Sequence, residues 1–347
     1  MTDIHIRKTG QTGRITLTRP HALNALSYKM CLAIEDALDA WALDDDVKML
    51  VIDATGDRAF CAGGDIQEMY DTATAGDFDY GRAFWRDEYR MNAKMFEFPK
   101  PVATFLQGFT MGGGVGVGCH GSHRVVGDSC QIAMPEVGIG LIPDVGGSYI
   151  LGKAPGHLGE YLGLTAARMG PGDAIHTGFA DYYIPEAGWP DMITQLETTG
   201  DYSLIDAAAQ QAPEGQLAAQ SEEINRHFRG SSLTDVVNSL TAEDSAFSQK
   251  TLKTLRRNSP LAMACALELV RRARAYDTLR PALEQEYRFT YRSASDGEFI
   301  EGIRAAIIDK DRNPQWRNTL ETPPNDLAFK MLMPLGANKL TFEKGAS

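Results

Sequence analysis

The chain reads as an α/β protein, on three observations. Residues 47–53 and 101–107 are near-continuously apolar, as expected for strands of a sheet covered on both faces. A glycine turn follows each run, and helical patterns fall between them. Alternation of strand and helix in this order implies crossover connections.

The first strand pattern is Arg14-Ile15-Thr16-Leu17-Thr18. Asn24-Ala25-Leu26-Ser27 then offers an N-cap for a helix carrying Met30, Ile34, Ala37, Leu38 and Trp41 on one face, closed by Asp44-Asp45-Asp46. Residues 79–98 predict a second helix, with Phe84, Tyr89, Met95 and Phe96 among charged residues and Pro99 as its stop. Short strand-like pieces follow at 124–126 and 130–133, and helical signals at 161–164 and 171–177. From about residue 187 the strand pattern fades. Helices are predicted at 261–276, behind Ser259-Pro260, and at 279–292 and 296–308. The expected division is a core over 1–186 and a helical C-terminal region over 187–347, whose tail beyond Trp316 is rich in Pro, Asn and Lys and expected to be partly mobile.

Composition narrows the function. With 347 residues, a net charge of −12 and a pI near 5.1, the chain lacks the broad basic surface that nucleic acid or an anionic membrane requires. The segment Met1 to Lys8 has no apolar signal core, and no run of about 18 apolar residues occurs. A cytoplasmic protein is expected. The five cysteines, Cys31, Cys61, Cys119, Cys130 and Cys265, form no CxxC pair, which argues against a disulfide framework and a zinc site, so no metal is expected. His120 and His123 read as packing or surface residues.

Two features carry chemistry. Met134 to Gly147 holds two carboxylates, Glu136 and Asp144, in an apolar segment broken by prolines and glycines. Carboxylates in apolar surroundings titrate abnormally, and a pair in different environments can divide general acid and base roles. The plainer reading makes Glu136 a cap and Asp144 the opening of a turn. The second feature is a pair of glycine turns, Ala62-Gly63-Gly64 and Met111-Gly112-Gly113-Gly114, each after a strand. Amides freed there can converge on one oxygen and stabilise negative charge on it. Gly116 to Gly121 also spells GxGxxG, but inside the expected helix, where a phosphate would find no free amides.

Phe60 to Asp65, Met111 to Gly116 and Pro135 to Gly147, in this order and spacing, resemble the crotonase (enoyl-CoA hydratase/isomerase) superfamily. The likeness extends to Arg19-Pro20 with Leu23-Asn24-Ala25-Leu26 and to residues 296–308, and covers most of 10–312. Within the superfamily the chain is most similar to the branch of 3-hydroxyisobutyryl-CoA hydrolases, through Met111 to Gly116, Pro135 to Gly147, Glu286-Tyr287-Arg288, and Ile308-Asp309-Lys310-Asp311 with Pro314 and Trp316. Hydratases carry a second catalytic glutamate two residues after the glycine triplet, where this chain has Gly116.

The resemblance implies a spiral of ββα units with a helical C-terminal region, and an acyl-CoA thioester hydrolase in valine catabolism. It assigns an oxyanion hole to the amides of Gly64 and Gly113, catalysis to Glu136 and Asp144, and substrate contact to Glu88, Gly113, Glu136 and Asp144. Coenzyme A enters as part of the substrate, with no separate cofactor. The resemblance allows a homo-oligomer and calls for no nucleic acid or membrane partner. Another superfamily reaction, hydration or isomerisation of an enoyl-CoA, and a non-catalytic acyl-CoA-binding protein are the alternatives.

Overall fold

The computed structural model describes residues 3–344. In chain order its strands are β1 (Ile4–Thr9), β2 (Thr12–Leu17), β3 (Met49–Ala54), β4 (Ala59–Cys61), β5 (Val102–Leu106), β6 (Phe109–Met111), β7 (His123–Val126), β8 (Gln131–Ala133) and β9 (Tyr182–Tyr183). They form a six-stranded sheet ordered β1-β2-β3-β5-β7-β9 and a three-stranded sheet ordered β4-β6-β8. Among the pairings of these described strands, β1–β2 alone is antiparallel. Each of β3, β5 and β7 is followed by a strand of the small sheet and then by helix, so the chain advances by ββα turns as expected.

The apolar runs behave as their composition requires: β5 and the first four residues of β3 are wholly buried, and so is β2 despite its Thr12, Arg14 and Thr16. One face of the large sheet packs Met49, Val51, Ala103, Phe105 and Val125 against Trp189, Met192 and Leu196 of the helix Trp189–Thr199. The helix Tyr28–Ala42 starts where expected, with the Ser27 hydroxyl accepting from the Met30 amide. Its Trp41 lies over Gly13, where a Cβ would come within 2.5 Å of the indole ring.

After β9 every regular element is helical. The expected break at 186/187 is one of secondary structure, whereas compactness divides the chain otherwise. One unit comprises the residues up to Asp65, Asp87–Ala133 and Arg168–Gln216; the other comprises Ile66–Arg86, Met134–Ala167 and the chain from Leu217 onward. In the second unit the buried helix Pro260–Ala273 packs on Gly147–Lys153, Leu158–Thr165 and Asn325–Met331. That last helix lies in the tail and buries Ala328 and Met331.

All five cysteines are buried and free of disulfides. Burial pushes each thiol up, those of Cys61 and Cys119 to about 12.

In the first unit a charged cluster fixes the residues from Asp87 onward in the helix Asp79–Phe96. The Arg90 guanidinium donates to both oxygens of Glu35, at 2.5 and 2.7 Å, and to Asp87 at 2.8 Å. Tyr28 donates to Asp87 from the neighbouring helix, and Lys94 pairs with Glu35 at 2.8 Å. Burial alone would raise the Glu35 carboxyl, but the hydrogen bonds from Arg90 and Lys94 hold it below its ordinary value. Breaking one side of a buried pair leaves a charge uncompensated. Arg90→Met is therefore expected to cost about 3–5 kcal/mol in chemical denaturation. A loss below about 1 kcal/mol would mean that Lys94 alone satisfies Glu35.

Candidate active site

In the first unit, the carbonyl of Gly63 accepts from the Leu26 amide at 2.9 Å, and the amide of Asp65 donates to the Leu26 carbonyl at 2.9 Å. These bonds flank Gly64 and leave its own amide out of the pairing. Gly63 has φ +124°, a conformation that favours glycine. The turn segment 23–26 is itself held by Asn24, which is 1% exposed: its side chain accepts from Arg19 N and donates to the carbonyls of Thr55 and Ala59. Arg19 reaches Asp65 at 3.0 Å. The Arg19 and Asn24 signature thus builds the loop that presents Gly64, a role its sequence reading as part of a cap region missed.

Gly113 opens the helix Gly113–Gly118, so its amide belongs to the first turn and has no partner within the helix. Gly112 ahead of it lies at φ +49°. A Cβ built on Gly113 would stand 3.1 Å from Glu88 Oε1, 3.2 Å from the Gly64 nitrogen and 3.4 Å from the Gly63 carbonyl carbon. One on Gly114 would come within 2.1 Å of the Cys61 carbonyl oxygen. The two glycine turns and the buried Glu88 side chain therefore meet in one place. Gly116 sits mid-helix, so the GxGxxG match has no free amide turn at its start.

In the second unit, Glu136 opens the 3-10 turn Glu136–Ile139 and is 4% exposed. The turn is anchored by Ser259 N donating to Val137 O at 2.9 Å. It is hemmed by Gly140, where a Cβ would lie 2.6 Å from the Glu298 carbonyl oxygen. Glu298 accepts from the Ser259 hydroxyl at 2.5 Å and from the Arg317 amide at 2.6 Å, tying the last part of the chain to the start of the helix Pro260–Ala273.

Asp144, also 4% exposed, precedes Val145 at φ +51° and Gly146 at φ +81°. The turn closes with Gly147 N donating to Asp144 O at 2.6 Å. Beneath it lies Glu286, 0% exposed, from the helix Arg280–Ser293. Burial pushes its carboxyl up from 4.5 to about 8, and the nearby Asp144 charge adds to the rise, against the hydrogen bonds from Ser148 and Gly146. Among the described residues, no group of three or more His, Cys, Asp or Glu is placed to hold a metal ion, and no helix is long and apolar enough to cross a membrane.

Comparison with known proteins agrees with this architecture. Residues 12–328 match the Enoyl-CoA hydratase/isomerase family. The chain belongs to that family. A chicken protein named mitochondrial 3-hydroxyisobutyryl-CoA hydrolase is 34% identical over 97% of this chain and 90% of its own. Its name places it in the mitochondrion, unlike the cytoplasmic location expected above. Two crystal structures share the whole crotonase fold. One, described as an enoyl-CoA hydratase from Rhodobacter sphaeroides 2.4.1, is 52% identical over 98% of this chain and 100% of its own, with a TM-score of 0.94. The other, described as a carnitinyl-CoA dehydratase from Mycobacterium thermoresistibile, is 39% identical over 99% of each chain, with a TM-score of 0.93.

A carboxyl whose pKa is raised in the folded state binds a proton there that the unfolded chain has already lost. Glu286 therefore supports folding fully below about pH 4.5, and that support fades as pH rises through about 8. The melting temperature of Glu286→Gln should vary less between pH 5 and 8 than that of the wild type. Parallel curves would place the Glu286 titration elsewhere.

Proposed function

We propose that this crotonase-family chain hydrolyses the thioester of a short 3-hydroxyacyl-CoA, with 3-hydroxyisobutyryl-CoA as the preferred candidate, giving the free acid and CoA. The observation that carries the reading is the close approach of Gly113, Gly64 and Glu88. In this reading the amides of Gly64 and Gly113 take the carbonyl oxygen as it gains charge, and Glu88 contacts the substrate. Glu136 acts on the carbonyl by one of two routes. As general base it removes a proton from water, whose oxygen bonds to the carbonyl carbon as the C–S bond breaks. As nucleophile it forms a mixed anhydride that water then cleaves. Asp144 orients the water or the substrate hydroxyl and protonates the departing thiolate. The chicken relative supports the substrate class.

The Rhodobacter structure, described as a hydratase, favours a second reading, addition of water to an enoyl-CoA. Against it stands Gly116, where the superfamily's hydratases carry their second glutamate; it is buried in the Gly113–Gly118 helix and has no acid to offer.

Thiol release from 3-hydroxyisobutyryl-CoA, beside loss of the conjugated absorbance of crotonyl-CoA, separates the two. Release without hydration supports the hydrolase, and hydration without release overturns it. Glu136→Gln is expected to abolish turnover while keeping CoA binding, and Asp144→Asn to lower kcat at least about tenfold. A single turnover in H₂¹⁸O distinguishes the routes, because attack by Glu136 leaves label in its own carboxylate. Gly113→Ala keeps the backbone N–H but sets a methyl 3.1 Å from Glu88 and 3.2 Å from the Gly64 nitrogen. The crowding should misplace the donors and lower kcat, at most by the about 10²–10³ that losing one oxyanion donor outright costs, and an unchanged kcat would mean that the methyl moves neither donor.

A further inference from the structure

Glu286 is a carboxylic acid with no surface exposed, placed mid-helix among the buried Ala282, Leu283, Tyr287 and Phe289. Burying such a group costs several kcal/mol unless its oxygens are well satisfied. Among the described residues no basic side chain pairs with it. Its partners all come from the turn after Asp144: Gly146 N donates to Oε2 at 2.8 Å, and Ser148 N and Oγ donate to Oε1 at 3.1 and 2.5 Å.

That turn cannot hold itself. Val145 is β-branched and lies at φ +51°, which costs on the order of 1–3 kcal/mol and persists only where the surroundings over-determine it. Gly146 follows at φ +81°. Relaxing Val145 to a negative φ would turn the peptide plane next to Asp144 and redirect its side chain. The fork of Glu286 grips the residues on the far side of Val145, and so opposes that relaxation. An apolar residue could fill the same space but could not accept these three hydrogen bonds.

We propose that Glu286 is a positioning residue, holding Asp144 in its working direction through the Val145–Ser148 turn. This rests on the reading of Asp144 as an active-site acid. Glu286→Gln is nearly isosteric. It keeps one acceptor for Ser148 and turns an N–H donor toward the Gly146 amide, so it should unhook one arm.

The test uses the full chain in two measurements. Hydrogen exchange of the peptide spanning residues 143–149 should be faster in Glu286→Gln than in the wild type. For whichever reaction the wild type performs, thiol release or crotonyl-CoA hydration, Glu286→Gln should lower kcat about tenfold with KM within about twofold, as expected for a misplaced catalytic group. Combined with Asp144→Asn it should lower kcat no further than Asp144→Asn alone. Ser148→Ala removes only the hydroxyl arm and should give the same pattern at smaller size, which keeps the test valid if Glu286→Gln fails to fold. Unchanged exchange overturns the proposal, as does a kcat loss that persists in full on top of Asp144→Asn. If Asp144→Asn is silent while exchange is faster, Asp144 has no role to be positioned for, and that outcome overturns the proposal through the functional reading.

Discussion

The absence of a side chain at Gly113 and Gly114 is the constraint on which the first unit's candidate site depends. The helix they begin starts so close to β4 that even one methyl on Gly114 would run into the Cys61 carbonyl. This contact puts the first turn of that helix, with its unsatisfied amides, beside Gly64. Any larger residue would push the helix back and separate the two donors. The small sheet serves the same end: β4 and β6 are parallel neighbours, so the glycine turns that follow them leave the same edge of the sheet.

In the second unit the organising groups are buried carboxylates used as internal acceptors. Glu298 gathers the Ser259 hydroxyl and the Arg317 amide, and Glu286 gathers the turn after Asp144. Neither relies on a salt bridge. A buried carboxyl group whose oxygens accept from amides and hydroxyls gives up its hydration for directional bonds, and so holds backbone conformations that apolar packing could not specify.

How far the sequence could be read follows from the length and burial of each element. β3 and β5 carry six and five residues and sit deep in the large sheet, so their apolar runs were unmistakable, whereas β2 was marked by Ile15 and Leu17 alternating with polar residues. β4 and β6, with three residues each, and β9, with two, are too short for any period to emerge; β1 is a half-exposed edge strand. Ser27 was recognised as a cap because capping is local. The convergence of Gly64, Gly113 and Glu88 was reached only through family resemblance, since these residues are scattered along the chain. Asn24 and Glu286 lie in stretches singled out by the family resemblance, but both make their hydrogen bonds to distant backbone, which no local pattern reveals. The interleaving of the two compact units was hidden because each is assembled from segments far apart in the chain.

The enclosure of the cysteines has a practical outcome. Disulfide exchange and oxidation proceed through the thiolate, and a thiol that is both inaccessible and held far above neutrality supplies almost none. The cysteines of the folded chain should thus react very slowly with disulfide-based reagents. Growth of a sulfhydryl signal from the protein would therefore report unfolding.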